Sequence, residues 1–320
     1  MAFYIGVDIG ATNTACGIVD DECRIIARSK VKTNPNGNGV PDYEDTLGAI
    51  KMAVREACVA AGITPSDAHS IGMGCPGTCN SEEGIVEYCC NLGFNNAPLK
   101  ADIEKEFGIP AYLDNDANAA AFGEFTAGGA KGSRNAVVIT LGTGVGAGII
   151  IDGKIYRGSN FAGGEIGHIV IVLDGLQCAC GRRGCFEAYS SAAGLARMTA
   201  RAAELNPGSI LTQLIRDEGK VSARTAYNAM KKGDPVGKEV TEQYIKYLSC
   251  GITNVINIFQ PDILCIGGGV CNEGDPLMIP LKEAVAQQVY SRNSAKNTRI
   301  EVCRLANEAG IIGAAMLFKS

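Results

Sequence analysis

The sequence predicts an α/β protein with two domains that begin alike. Three observations carry this. A strand, glycine turn, strand module occurs twice; apolar strand runs alternate with helix-period segments; and 320 residues suffice for two cores.

The opening FYIGVDIGATNTACGIVDDECRIIARSKVKT reads as a β-meander. An apolar run reaches Asp8, a Gly-Ala-Thr-Asn-Thr turn follows, a second run ends at Val19, and alternation resumes from Cys23 after an acidic turn. The loose polar stretch 34–39 reads as a loop. Tyr43 to Ala61 carries Leu47, Ile50, Val54 and Ala57 at helical spacing and stops at Gly62, a helix C-terminus. SIGMGCPG is a strand running into a Pro-Gly turn, ADIEKEFG a helix, and IPAYLDND a strand with a polar end. Asn115 or Asp116 then caps an Ala-rich helix through Phe122.

The segment NAVVITLGTGVGAGIIIDGKIYRG repeats the opening grammar. An offset of 132 positions sets Gly10 on Gly142, Ile18 and Val19 on Ile150 and Ile151, and Asp20 on Asp152. This points to a duplicated domain whose two hairpin turns face one cleft. Helices are expected at 193–205, 210–217, 223–232 and 235–259, then the strand DILCIGGGV, a helix over 277–290, the strand RIEVCRLA and a last helix from Ala309.

Composition excludes several function classes. Lys plus Arg total 29 against 34 Asp plus Glu, so there is no broad basic footprint for nucleic acid or an anionic membrane. With no Trp and 6% aromatic residues, a stacking platform for single strands is excluded. No secretory signal pattern opens the chain, and the apolar run 136–151 is broken by four glycines, so a cytoplasmic protein without a membrane span is expected. The 14 cysteines mostly sit in apolar segments, as reduced core residues do.

Three features carry chemistry. The turns Asp8 to Thr14 and Leu141 to Gly148 follow apolar strands, and their side-chain-poor backbone lets N–H groups converge on a polyphosphate. Asp8, at a strand end, suits a water-mediated Mg²⁺. Gly148 to Lys154 mimics the start of a P-loop, but Ile155 replaces its Ser or Thr and Asp152-Gly153 signals a hairpin. His168, Cys178, Cys180 and Cys185 match a closed tetrahedral, structural Zn²⁺ site, since one imidazole and three thiolates leave no open position. Glu165 and Glu187 hang from the same loop. Asp114, Asn115, Asp116 and Asn118 gather where a strand meets a helix, more polar groups than one cap needs.

DIGATNT, the NDAN stretch, GEIGH, CACGRRGCFE and the late GGGV together resemble the ROK family of sugar kinases and sugar-responsive repressors, across essentially the whole chain. The resemblance implies the two-domain actin-like ATPase (ribonuclease H-like) fold with its active site in the interdomain cleft. It implies a smaller domain of 1–117 plus 303–320 and a larger one of 118–302 holding the zinc loop. It further implies ATP-dependent phosphorylation of a hexose at the 6-hydroxyl, glucose above mannose, fructose or N-acetylmannosamine, by a homodimer or higher homo-oligomer. Asp116 is then the catalytic base, and Asn115, Glu165, His168 and Glu187 the sugar ligands. Asp8, Gly10, Thr12, Asn13, Thr14, Gly142, Thr143 and Gly144 hold the phosphates, and Gly267, Gly268 and Gly269 meet the adenosine. A repressor is disfavoured because the first hairpin starts within ten residues of the chain start. Many members carry Lys at the place of Asn13 and Leu at that of Phe186.

Overall fold

The N-terminal meander forms as its alternation dictates. In the computed structural model, which describes residues 2–34 and 39–320, β1 (Phe3–Ile9), β2 (Asn13–Asp20) and β3 (Ile25–Lys32) are antiparallel neighbours. Residues 35–38 of the expected loop lie outside the described residues. Asp20 pins the turn before β3 by accepting the Glu22 and Arg24 N–H groups, both at 2.9 Å. Helix α1 (Tyr43–Ala61) starts where Asp42 accepts the Asp45 N–H and ends at Gly62 in the left-handed region, with Leu47, Ile50, Val54 and Ala57 buried.

The next strand, β4 (Ala68–Cys75), lies parallel to β1. Three short strands then make a separate antiparallel sheet: β5 (Thr78–Asn80), β6 (Ile85–Cys89) and β7 (Phe94–Ala97). Helix α2 (Leu99–Phe107) leads to β8 (Ala111–Asn115), parallel to β4, and α3 (Asp116–Thr126) follows at once. The sheet order is β3-β2-β1-β4-β8. β4 is buried over almost its whole length, as expected of a parallel strand covered on both faces.

The second module repeats this plan: β9 (Ala136–Leu141), β10 (Val145–Ile151) and β11 (Lys154–Ile155). The P-loop lookalike is therefore strand and hairpin, with Asp152 and Gly153 both at positive φ. Helices α4 (Phe186–Ser190), α5 (Ala192–Leu205), α6 (Ile210–Glu218), α7 (Ala223–Lys231) and α8 (Pro235–Phe259) precede β12 (Ile263–Gly267). Helix α9 (Asp275–Gln288), β13 (Arg299–Val302) and α10 (Ala309–Met316) close the chain. The second sheet runs β11-β10-β9-β12-β13, the order of the first. The match extends to the helices in chain order, since α8, α9 and α10 alternate with β12 and β13 as α1, α2 and α3 alternate with β4 and β8. β13 stops at Val302, short of the expected run, and Ala306 turns the chain at positive φ.

By packing, one unit comprises Met1–Val138, Gly148–Gly164 and Cys303–Ser320, and the other Ile139–Ala147 and Glu165–Val302. This partition differs from a boundary at 117. α3 stays with the first unit because it packs on α10, where a side chain on Gly123 or Gly313 would strike the other helix's or its neighbour's backbone. Gly6 and Gly72, paired across β1 and β4, likewise let α10 lie directly on the sheet, against the backbone of Ile311 and Ala314. No helix of the described residues is long and apolar enough to cross a membrane.

Candidate functional site

In the first unit, Asp8, Gly74 and Asp114 form one row across the carboxyl ends of β1, β4 and β8. Gly74 keeps the row open, since a side chain there would press on Ala119 and Asp116. Asp114 is buried and neutralised: it accepts from Arg157 Nε at 2.7 Å and Asn118 Nδ2 at 2.9 Å. Asp116 has no such cation among the described residues and accepts the Ala117 N–H of its own helix at 2.9 Å. Burial raises its pKa above the ordinary carboxylate range. Burial, and then the charge of Asp116, push Asp8 up to about 6.

The sign of the Asp8 shift yields a prediction. The folded chain holds this proton more tightly than the unfolded chain, so the group adds stability below about pH 4 that is lost as pH rises through about 6. Asp8→Asn should therefore stabilise the Mg²⁺-free protein by about 1–3 kcal/mol at pH 8 and by almost nothing at pH 4. Denaturant unfolding at the two pH values checks this; a gain independent of pH would trace to packing instead of titration.

Asn115 is the N-cap of α3. Its amide oxygen takes the Ala117 and Asn118 N–H groups at 2.9 and 3.2 Å, and its Nδ2 donates to the Gly77 carbonyl at 3.1 Å. Capping and the Asp114 network thus account for Asp114, Asn115 and Asn118, and leave Asp116. In the first glycine turn, Thr12 is exposed and Asn13 half-buried, while Gly10 N–H donates to the Asn13 carbonyl at 3.0 Å. Thr14 is fully buried with its hydroxyl 3.0 Å from that of Thr33, which donates to the Gly10 carbonyl at 2.6 Å. Its side chain braces the turn from behind.

In the second unit, Gly142 and Thr143 are exposed at the tip of the second turn, where Gly142 N–H reaches the Gly144 carbonyl at 3.0 Å. Glu187 Oε2 accepts the Val145 N–H at 2.9 Å, and a side chain on Gly144 would run into that carboxylate. Gly268, at φ 96°, packs on the backbone of Leu141, which sets the exposed Gly268 and Gly269 beside this turn, while Gly267 is buried at the end of β12.

The cysteine loop folds as a knuckle: Cys178 N–H donates to the Arg182 carbonyl, Gly181 turns at positive φ, and Val170 pairs with Cys185. The donor atoms of His168, Cys178, Cys180 and Cys185 all lie within 4.8 Å of one another. Cys178 Sγ is 3.7 Å from His168 Nδ1, and Cys180 Sγ 3.6 Å from Cys185 Sγ. A tetrahedral zinc with bonds of about 2.3 Å to sulfur has edges of about 3.7 Å, so the donor set fits Zn²⁺. Burial and the neighbouring thiols push the Cys185 thiol up to about 12, a crowding that metal binding relieves by displacing protons. Because Nδ1 faces the sulfurs, the His168 Nε2 is left for another partner. Glu165 is exposed just before the short turn Ile166–His168, and Glu187 lies in α4, two residues past Cys185. Phe186 is fully buried on Gly251 of α8, whose missing side chain makes room for the ring.

Sequence reasoning missed Thr33, Arg157 and the grip of Glu187 on the second turn. Each acts through a partner at least 19 residues away, which no local pattern signals.

Known proteins share this construction. The chain is 35% identical over 320 residues to the glucokinase of Streptomyces coelicolor, covering 99% of this chain and 98% of that one. It is 30% identical to the xylose repressor of Caldicellulosiruptor bescii, covering 85% of this chain and 68% of the repressor. Among solved structures, a ROK family glucokinase from Streptomyces griseus in complex with glucose and AMPPNP superposes with a TM-score of 0.80 at 32% identity, covering 99% of both chains. A repeated actin-like α/β plan, a cysteine and histidine knuckle, and a ROK family profile that matches residues 4–320 converge on one conclusion: the chain belongs to the ROK family.

Proposed function

We propose that this chain is a ROK sugar kinase that transfers the γ-phosphoryl group of ATP to the 6-hydroxyl of a hexose, with glucose as its substrate. The observation that carries this reading is Asp116: a half-buried carboxylate at the head of α3, with a raised pKa and no neutralising cation among the described residues, beside Asp8 at the end of β1. Supporting it, the likeness to the Streptomyces coelicolor glucokinase spans 98% of that protein, whereas the alignment to the xylose repressor spans 68% of the repressor.

In this reading Asp116 accepts the proton of the 6-hydroxyl as the oxygen attacks the γ-phosphorus and ADP departs. A raised pKa suits a general base that works near neutrality. Asn115 keeps one amide N–H for a sugar hydroxyl, and Glu165, Glu187 and the His168 Nε2 take the others. The turn from Gly10 to Thr14 and the turn from Gly142 to Gly144 hold phosphate oxygens, the second through the Thr143 and Gly144 N–H groups while the Gly10 and Gly142 N–H groups close their turns on the Asn13 and Gly144 carbonyls, and Gly268 and Gly269 allow close approach of the adenosine. Asp8 holds Mg²⁺ through water; the ion supplies countercharge to the phosphates. Zn²⁺, held by His168, Cys178, Cys180 and Cys185, supplies rigidity to the loop.

A coupled ADP-release assay over glucose, mannose, fructose, N-acetylglucosamine and N-acetylmannosamine tests the substrate. The expected result is a kcat/KM for glucose at least about tenfold above the rest, since a site built to bond a hydroxyl rejects a sugar that misplaces it. Preference for another hexose would overturn the glucose assignment, and no ADP release with any sugar would overturn the kinase reading.

A further inference from the structure

The two glycine turns are braced differently. The first is held by Thr33, whose hydroxyl bonds both the Gly10 carbonyl and the Thr14 hydroxyl. The second is held by a carboxylate, because Val145 N–H donates to Glu187 Oε2 at 2.9 Å. A charged acceptor makes this the stronger brace. It also completes an accounting of the turn's backbone: Gly142 N–H goes to the Gly144 carbonyl and Val145 N–H to Glu187. The N–H groups of Thr143 and Gly144 make no hydrogen bond among the described residues and are the pair the turn offers to an anion. Gly144 lacks a side chain for a related reason. Its φ is not positive, so alanine is conformationally allowed there, yet a Cβ would meet the Glu187 carboxylate.

The geometry points to Glu187 as a positioning residue for the nucleotide: through Val145 N–H it sets the shape of the second glycine turn, and Gly144 is glycine to admit its carboxylate. This rests on the kinase reading and adds to it, since that reading gives Glu187 only a sugar hydroxyl. Only Oε2 is engaged by Val145, while Oε1 is turned toward Cys178 Sγ at 3.8 Å.

The test is the dissociation constant of Mg²⁺·AMPPNP, measured calorimetrically without sugar. A residue that only binds sugar leaves this value unmoved. Glu187→Gln keeps an acceptor for Val145 N–H and removes the charge; it is expected to bind nucleotide within about twofold of wild type, or more tightly. Glu187→Ala removes the acceptor and should bind about tenfold more weakly than Glu187→Gln. Gly144→Ala, which displaces the carboxylate, should weaken binding similarly, and the double variant should be no weaker than either single one, because both break the same contact. Equal nucleotide affinity in wild type and Glu187→Ala would overturn the inference alone, as would costs that multiply in the double variant. Absence of nucleotide binding by wild type, with and without glucose, would overturn the kinase reading and this inference with it.

Discussion

Asp116→Ala should lower sugar-dependent ADP release by about a thousandfold or more while leaving the hexose dissociation constant within about threefold. Asp114, its neighbour on β8, is already committed to Arg157 and Asn118, so it cannot take over as the proton acceptor. Asp116 makes no contact that would be needed to keep α3 in place, because the N-cap is Asn115. A second signature follows from electrostatics: the charge of Asp116 contributes to holding Asp8 at about 6, so its removal should move the Asp8 titration downward. Carboxyl NMR would register that shift whether or not turnover survives. Undiminished turnover in the variant would refute the assignment of the base.

Loss of the metal should have the next largest effect. Purified protein is expected to carry one zinc per chain, and Cys178→Ser or Cys185→Ser should lose it. Neither residue is assigned a contact with sugar, yet hexose affinity should fall at least tenfold. His168 is itself a donor of the group, and Glu187 follows Cys185 in a helix of only five residues, too short to hold its own position once the knuckle loosens. Metal analysis with a chelator titration, followed by hexose calorimetry on the same samples, checks both halves. Full activity without zinc would end the assignment of the metal, and unaltered hexose affinity in the serine variants would mean that the loop orders without it.

Much of the architecture was legible because the signals were periodic or punctuated. The apolar stripe of α1 between Asp42 and Gly62, the Pro at the start of α8, and the repeat at a fixed offset all act within one turn or one hairpin. What escaped was set by partners far along the chain. β5 to β7 are three to five residues each and alternate weakly, so they left little trace. The packing of α3 on a helix nearly 200 residues later, which the boundary at 117 does not reflect, is a contact made by glycines whose lack of a side chain has no periodicity. At the site, residue type and spacing singled out His168, Cys178, Cys180 and Cys185, whose donor atoms the fold brings within 4.8 Å of one another. They did not reveal orientation. The Thr14 hydroxyl is turned inward to Thr33, and Asn115 gives its amide oxygen to the first turn of its helix.

The seat of α10 has a consequence for how the chain comes together. Gly6, near the start, and Ile311, near the end, must meet before the first sheet is covered on that face. During synthesis β1 therefore waits for this cover until a helix far along the chain has been made. Contacts this distant in sequence are slow to form. α10 acts as a latch on the first sheet, and truncation before Ala309 should leave a chain that chaperones retain and proteases clear.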